Sequence, residues 1–140
     1  MSGLRSIVYV STAVRLMGEA ELEGLLTEAR ALNLESGTTG VLLYSEGSFM
    51  QCIEAERADV YVTYERVRAS RRHTGLIELI DEPVAARTFG DWQMGFARAA
   101  RSDLLAMSSA RWQQHVDDAT GQPISAGLML LREFWERNRR

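Results

Sequence analysis

The alternation of apolar and polar positions divides the chain into short elements. Ser6-Ile7-Val8-Tyr9-Val10-Ser11 is β-branched and aromatic, which predicts a strand. After a loop, Gly18 precedes Glu19, Glu21 and Glu23, acids that suit the positive end of a helix dipole. Leu22, Leu25, Leu26, Ala29 and Leu32 then recur at helical spacing, and Gly37 marks the stop. Residues 39–45 and 48–53 predict two strands joined by the tight turn Glu46-Gly47, a hairpin. Residues 57–70 predict a second helix with Val60, Tyr64 and Val67 on one face. Residues 76–80 predict a buried strand closed by Asp81-Glu82-Pro83, and residues 92–96 a short final one.

This order, β-α-β-β-α-β-β, predicts an α+β fold: a ferredoxin-like sheet with an added strand and two helices on one face. From Ala97 the pattern changes. Residues 102–116 and 125–138 predict two helices, split by the linker Asp117-Asp118-Ala119-Thr120-Gly121-Gln122-Pro123. The pair carries Leu104, Leu105, Trp112, Leu128, Leu131, Phe134 and Trp135 and is too small to fold alone, so it is expected to cover the bare second face of the sheet. The expected division is residues 1–96 as the main domain and 97–140 as a helical extension packed on it.

Composition narrows the chemistry. At 140 residues the chain suits one domain with a core, and a net charge of −3 gives no electrostatic case for nucleic acid or an anionic membrane. All 16 basic residues are Arg, so no Schiff base and no Walker-type phosphate lysine is available. The lone cysteine, Cys52, makes neither an intramolecular disulfide nor a metal cluster, and the two histidines, His73 and His115, are thin material for a hydrolytic centre. His115, in the extension, is expected to be structural or exposed. No apolar run approaches the ~20 residues of a membrane span. Met1 to Arg5 leads straight into the first strand without a signal-peptide pattern, which predicts a cytoplasmic protein.

Four polar or soft residues fall in or beside segments that should be buried: Tyr9, Asn33, Gln51 and Met94. In the expected topology the first and third strands are adjacent, so Tyr9 and Gln51 could be neighbours on the helix-covered face. Each also has a plainer role. A strand tyrosine often bonds a backbone carbonyl, Asn33 could cap its helix, Met94 could fill a gap and Trp92 could simply pack. Gln51 is harder to dismiss, because a buried amide has four hydrogen-bonding positions to satisfy. Arg68, Arg71, Arg72 and His73 could complement the C-terminal dipole of the second helix or meet a phosphorylated ligand tail. Cys52, next to Gln51 in a strand, should point to the opposite face as a small core residue.

Together these segments resemble a BLUF domain, the blue-light sensor using FAD. The resemblance runs from Ser6 to Phe96. It rests on Ile7-Val8-Tyr9-Val10-Ser11, on Asn33 followed by Thr39-Gly40-Val41-Leu42-Leu43-Tyr44, and on Phe49-Met50-Gln51-Cys52-Ile53-Glu54. Arg71-Arg72-His73, Pro83 and Trp92-Gln93-Met94-Gly95-Phe96 complete it. The length and helical extension are similar to those of short, stand-alone members of the family.

The resemblance implies a photoreceptor, not an enzyme, that binds FAD non-covalently, with FMN or riboflavin as substitutes. It implies that Leu25 and Val67 wall the flavin ring, that Asn33 bonds its polar edge, and that Arg72 and His73 lie near the ribityl-phosphate tail. Tyr9 and Gln51 are then the photoactive pair, and Trp92 and Met94 a signalling pair near Gln51. Light would drive electron and proton transfer from Tyr9 and rearrange the Gln51 hydrogen bond, giving a reversible red-shifted state passed to an unidentified partner protein. A homodimer is open; nucleic acid and membrane are not expected. Three departures from the family pattern stand out: Leu32 before Asn33, Glu54-Ala55 altering the turn after the third strand, and Thr38-Thr39. Competing functions are a light-independent interaction or small-ligand-binding protein, an acylphosphatase-like enzyme, whose Gly-rich loop is missing, and a cysteine–flavin photosensor built on Cys52.

Overall fold

The computed structural model describes residues 3–112, 114–116 and 123–138. The elements are β1 (Leu4–Ala13), α1 (Glu19–Ser36), β2 (Thr39–Ser45), β3 (Ser48–Glu56), α2 (Arg57–Arg68), β4 (His73–Pro83), β5 (Gly95–Arg98), α3 (Arg101–Ser108), β6 (Gln114–Val116), β7 (Pro123–Ser125) and α4 (Ala126–Asn138). The main sheet has the order β4-β1-β3-β2-β5. Its strands are antiparallel except for β5, which runs parallel to β2. This is the expected α+β layout.

Local chemistry accounts for the element ends. Glu46 and Gly47 both adopt positive φ, 41° and 90°, as the two-residue turn of a twisted hairpin demands. Helix α1 stops at a Schellman motif. Gly37 is left-handed, its N–H meets the Leu34 carbonyl, and the Thr38 N–H donates to the Asn33 carbonyl at 2.8 Å. The departure at Thr38 has a local use: its hydroxyl bonds Ser36 Oγ and Thr63 Oγ1, tying the end of α1 to α2.

Two cores sandwich the sheet, so its central strands are buried on both faces. Ile7, Tyr9, Leu42 and Ile53 pack under Leu22 and Leu26 of α1 and Val60 and Tyr64 of α2. On the other face Val8, Val41, Met50 and Cys52 meet Leu104 and Met107 of α3, Trp112, and Leu131, Phe134 and Trp135 of α4. The C-terminal helices thus cover the second face, as expected. Trp135 sits so close to the sheet that a Cβ on Gly95 would lie 2.4 Å from its ring. Trp135→Ala is expected to cost about 3–5 kcal/mol of unfolding free energy, the scale of a large-to-small change in a well-packed core. Urea unfolding measures it.

Several boundaries differ from expectation. The first C-terminal helix ends at Ser108 rather than at residue 116, because Trp112 folds back, donating from Nε1 to the Met107 carbonyl at 3.0 Å and packing against Gly127. The chain then pairs β6 with β7, whose last residue Ser125 caps α4 through the Leu128 N–H. The linker Asp117–Gln122 and the side chain of His115 lie outside the described residues. Strand β4 runs on to Pro83, tolerated because β4 is an edge strand with a free side. There is no turn at Glu54-Ala55: β3 continues to Glu56, with Ala55 buried opposite Arg5. Finally, residues 92–94 are loop, and β5 begins only at Gly95.

Candidate functional site

A cavity of about 460 Å³ opens between α1 and α2 over β1, β3 and β2, a size typical of small-molecule sites. Leu25 and Ala29 of α1 and Val67 of α2 give it apolar walls, and Leu32 lines it too. Its floor follows from strand register. Tyr9 pairs with Gln51 across β1 and β3, and Gln51 with Leu42 across β2, so their side chains share the helix-covered face.

On this floor the Tyr9 hydroxyl donates to Gln51 Oε1, and Gln51 Nε2 donates to Met94 Sδ at 3.4 Å. An amide offers four hydrogen-bonding positions. The protein fills one on each end of Gln51 and leaves the others to whatever occupies the cavity. Burial, reinforced by Tyr64, pushes the Tyr9 phenol well above its ordinary pKa, so it stays protonated and able to donate. Its ring packs between Tyr64 and His73, with centroids 6.1 and 6.0 Å away.

Asn33 does not cap α1 with its side chain. Its Nδ2 donates to the Gln93 carbonyl at 2.6 Å, and its Oδ1 accepts from Arg66 at 3.1 Å. Arg66, unforeseen from the sequence, therefore brings a cation into the cavity wall, where desolvation lowers its pKa despite Glu28 nearby. No spacing rule links positions 33 and 66 on different helices; the only available hint was that Arg66 adjoins the apolar Val67. His73 lines the cavity beside Tyr9, and its Nε2–H donates to the Val67 carbonyl at 2.7 Å. Its buried Nδ1 has no partner among the described residues. Arg72 lines the cavity as well and forms an exposed ion pair with Glu28 at 3.2 Å.

Trp92 and Met94 part company. Met94 is buried against Gln51, whereas Trp92 lies on the opposite side, edge-to-face with Trp135 at 5.2 Å between centroids. The loop carbonyls explain why no strand forms there: Trp92 O accepts from the Gly40 N–H, Gln93 O from Asn33, and Met94 O from Arg30. Cys52 faces away from the cavity, as alternation requires. It is fully buried with its Sγ 3.6 Å from Ser6 Oγ, and burial raises its thiol pKa far above the ordinary value. A thiol so placed is neither ionised nor within reach of a ligand on the other face. Among the described residues there is no His, Cys, Asp and Glu cluster able to hold a metal, and no helix is long and apolar enough to cross a membrane.

The cavity residues fit a planar heteroaromatic ligand with a polar edge: two apolar walls, an amide with spare donor and acceptor capacity, and a guanidinium. Comparison with known proteins agrees. The family model described as BLUF, sensors of blue light using FAD, matches residues 4–95. The photoactivated adenylate cyclase subunit beta of Euglena longa is 28% identical over 106 residues, covering 75% of this chain but only 12% of that protein. Among solved structures, BlrB, a BLUF protein in its dark state, superposes with a TM-score of 0.65 at 33% identity, over 76% of this chain and 80% of that one. A bacterial light-regulated adenylyl cyclase gives a TM-score of 0.66 at 28% identity, over 68% of this chain and 28% of that one. The chain belongs to the BLUF family of blue-light sensors that use flavin.

Proposed function

We propose that the chain binds FAD non-covalently between α1 and α2 and that light acts on it through Tyr9 and Gln51. One observation carries this: the Tyr9–Gln51–Met94 hydrogen-bond chain on the floor of the cavity. When bound and excited by blue light, the flavin supplies a strong one-electron oxidant. Leu25 and Val67 would hold the ring from both sides, while Asn33 and Arg66 would bond its carbonyl-bearing edge. His73 and Arg72 would lie towards the tail.

Tyr9 serves as donor. Its phenol would release an electron to the excited flavin and its hydroxyl proton through Gln51 Oε1, and both would return to Tyr9 once the amide has turned. Gln51 would thereby have exchanged the positions of its amide oxygen and nitrogen, with the restored Tyr9 hydroxyl accepting from Nε2. The amide now presents a changed hydrogen bond to the ring, which lowers the optical transition energy. The same exchange removes the donor from Met94 Sδ and frees that side chain to shift. The segment from Trp92 to Met94 lies against Trp135 on one side and Gln51 on the other, so a shift at Met94 biases the C-terminal helices. On this reading residues up to 96 form the sensor and residues 97–140 the output, recognised by a partner protein.

The test is the absorption spectrum of flavin-loaded protein before and after blue light. A reversible shift to longer wavelength is expected. Protein that takes up FAD and shows no shift would overturn the proposal.

A further inference from the structure

The opposite face of the sheet holds a buried carboxylate that the photochemistry does not use. Glu54 is only 1% exposed. It lies on β3 three residues beyond Gln51 and faces the other core. Its Oε1 accepts from the Phe89 N–H at 3.0 Å and from Thr39 Oγ1 at 3.1 Å, and its Oε2 from the Thr88 N–H at 2.6 Å. Arg87 closes the cluster, donating to Thr39 Oγ1 at 2.8 Å and to the Glu54 carbonyl at 3.0 Å. Burying a carboxylate is costly unless such donors surround it.

All four loop contacts fall at residues 87–89, the root of the segment that leads to Met94. Phe89 plugs the far core, and the Trp92 N–H turns back onto the Phe89 carbonyl at 3.1 Å. Met94 lies five residues further on, in the near core beside Gln51. The segment therefore crosses from one face to the other, and β3 fixes both its ends: Glu54 at the root and Gln51 at the tip. Among the described residues the Thr88 and Phe89 N–H groups have no other hydrogen-bond partner, so without the carboxylate the root is held to β3 only through the Arg87 side chain and its backbone height is no longer set.

We infer that Glu54 is a positioning residue that, by gripping the backbone of residues 88 and 89, sets Met94 against the Gln51 amide. Its consequence for the light response rests on the proposed function; its consequence for Met94 does not. An amide cannot replace it. Gln at this position offers one acceptor oxygen, and its NH₂ group would face an N–H. Asp keeps the charge but is one methylene too short.

The experiment uses the full chain with labelled methionine methyl groups, with and without flavin, in wild type and Glu54→Gln. In flavin-free protein the Met94 methyl resonance is expected to move towards the free-methionine position. In flavin-loaded protein, at equal flavin occupancy, dark recovery after blue light is expected to change at least about fivefold, the scale of one net hydrogen bond. A Met94 resonance and a recovery rate that both stay put while only melting temperature falls would overturn the inference. If Glu54→Gln does not fold, Thr39→Val removes one donor to the same carboxylate. A smaller Met94 displacement is expected there, and an unmoved resonance overturns the inference equally. Absence of any red shift in wild type would count against the proposed function alone, since the flavin-free methyl signal still reports on Glu54.

Discussion

Tyr9→Phe is expected to leave the protein folded and flavin-loaded but without its light-induced red shift. The ring is retained, so packing against Tyr64 and His73 survives. What disappears is the hydroxyl that donates to Gln51 Oε1. Two consequences follow. The buried amide oxygen loses its partner, at about 1–3 kcal/mol, and the amide becomes free to turn in the dark. No phenol then remains in hydrogen-bond contact with Gln51 to release an electron and a proton together. Gln51→Glu tests the other half of the pair. A carboxyl group has no second donor to exchange for its acceptor, so it cannot reverse its hydrogen bonds as an amide does, and the shift is again expected to vanish. Difference spectra under blue light decide both, with flavin occupancy read from the same samples. A normal red shift in either variant would refute the assigned roles.

Gly40→Ala is expected to damage the fold itself. Gly40 lies in β2 with φ of +154°, and a Cβ there would stand 1.9 Å from the Cys52 carbonyl oxygen and 3.2 Å from Ile53 Cα. Both obstacles are backbone of the paired strand β3, so no rotamer change relieves them. Overpacking in a core costs about 1–3 kcal/mol and forced backbone geometry about as much again, a large share of the 5–15 kcal/mol that holds a domain together. The displacement would also reach the cavity. The Gly40 N–H holds the Trp92 carbonyl at 2.9 Å, at the start of the segment that delivers Met94. Denaturant unfolding should show a marked loss of midpoint, accompanied by weaker flavin retention. A midpoint within experimental error of wild type would refute the close approach.

Much of this was legible because the rules involved are local. Alternation in two β-branched strands, a two-residue turn between β2 and β3, and acids at the start of α1 follow from backbone sterics and nearest-neighbour hydrogen bonding. They were enough to put Tyr9 and Gln51 on one face of adjacent strands, and Cys52 on the other. The misreadings came where a distant group captured the backbone. Trp92 and Met94, two apart, would share a face if residues 92–96 formed a strand, and both would approach Gln51. Instead Gly40, Asn33 and Arg30 take the three carbonyls, the strand begins at Gly95, and the two side chains end in different cores. The same holds at Trp112, whose return to Met107 ends a helix that periodicity alone would continue. Arg66 and Glu54 were missed for a related reason. Each is an unremarkable charged residue until an element far along the chain, Asn33 in one case and residues 87–89 in the other, supplies its partner.

By itself, then, the sequence determined the element order as far as β5, the two-sided burial of the sheet, the family, and the chemical types on offer: a phenol, an amide and arginines, with no lysine and no second cysteine. These depend on the periodicity and identity of residues close together in the chain. Only the tertiary structure decided which of them meet. The Tyr9–Gln51 register, the cation at Arg66, the separation of Trp92 from Met94 and the grip of Glu54 on the loop all rest on contacts between residues 33 to 64 positions apart. No local rule specifies them; they follow from the cost of leaving buried donors and acceptors without partners once the two cores have closed on the sheet.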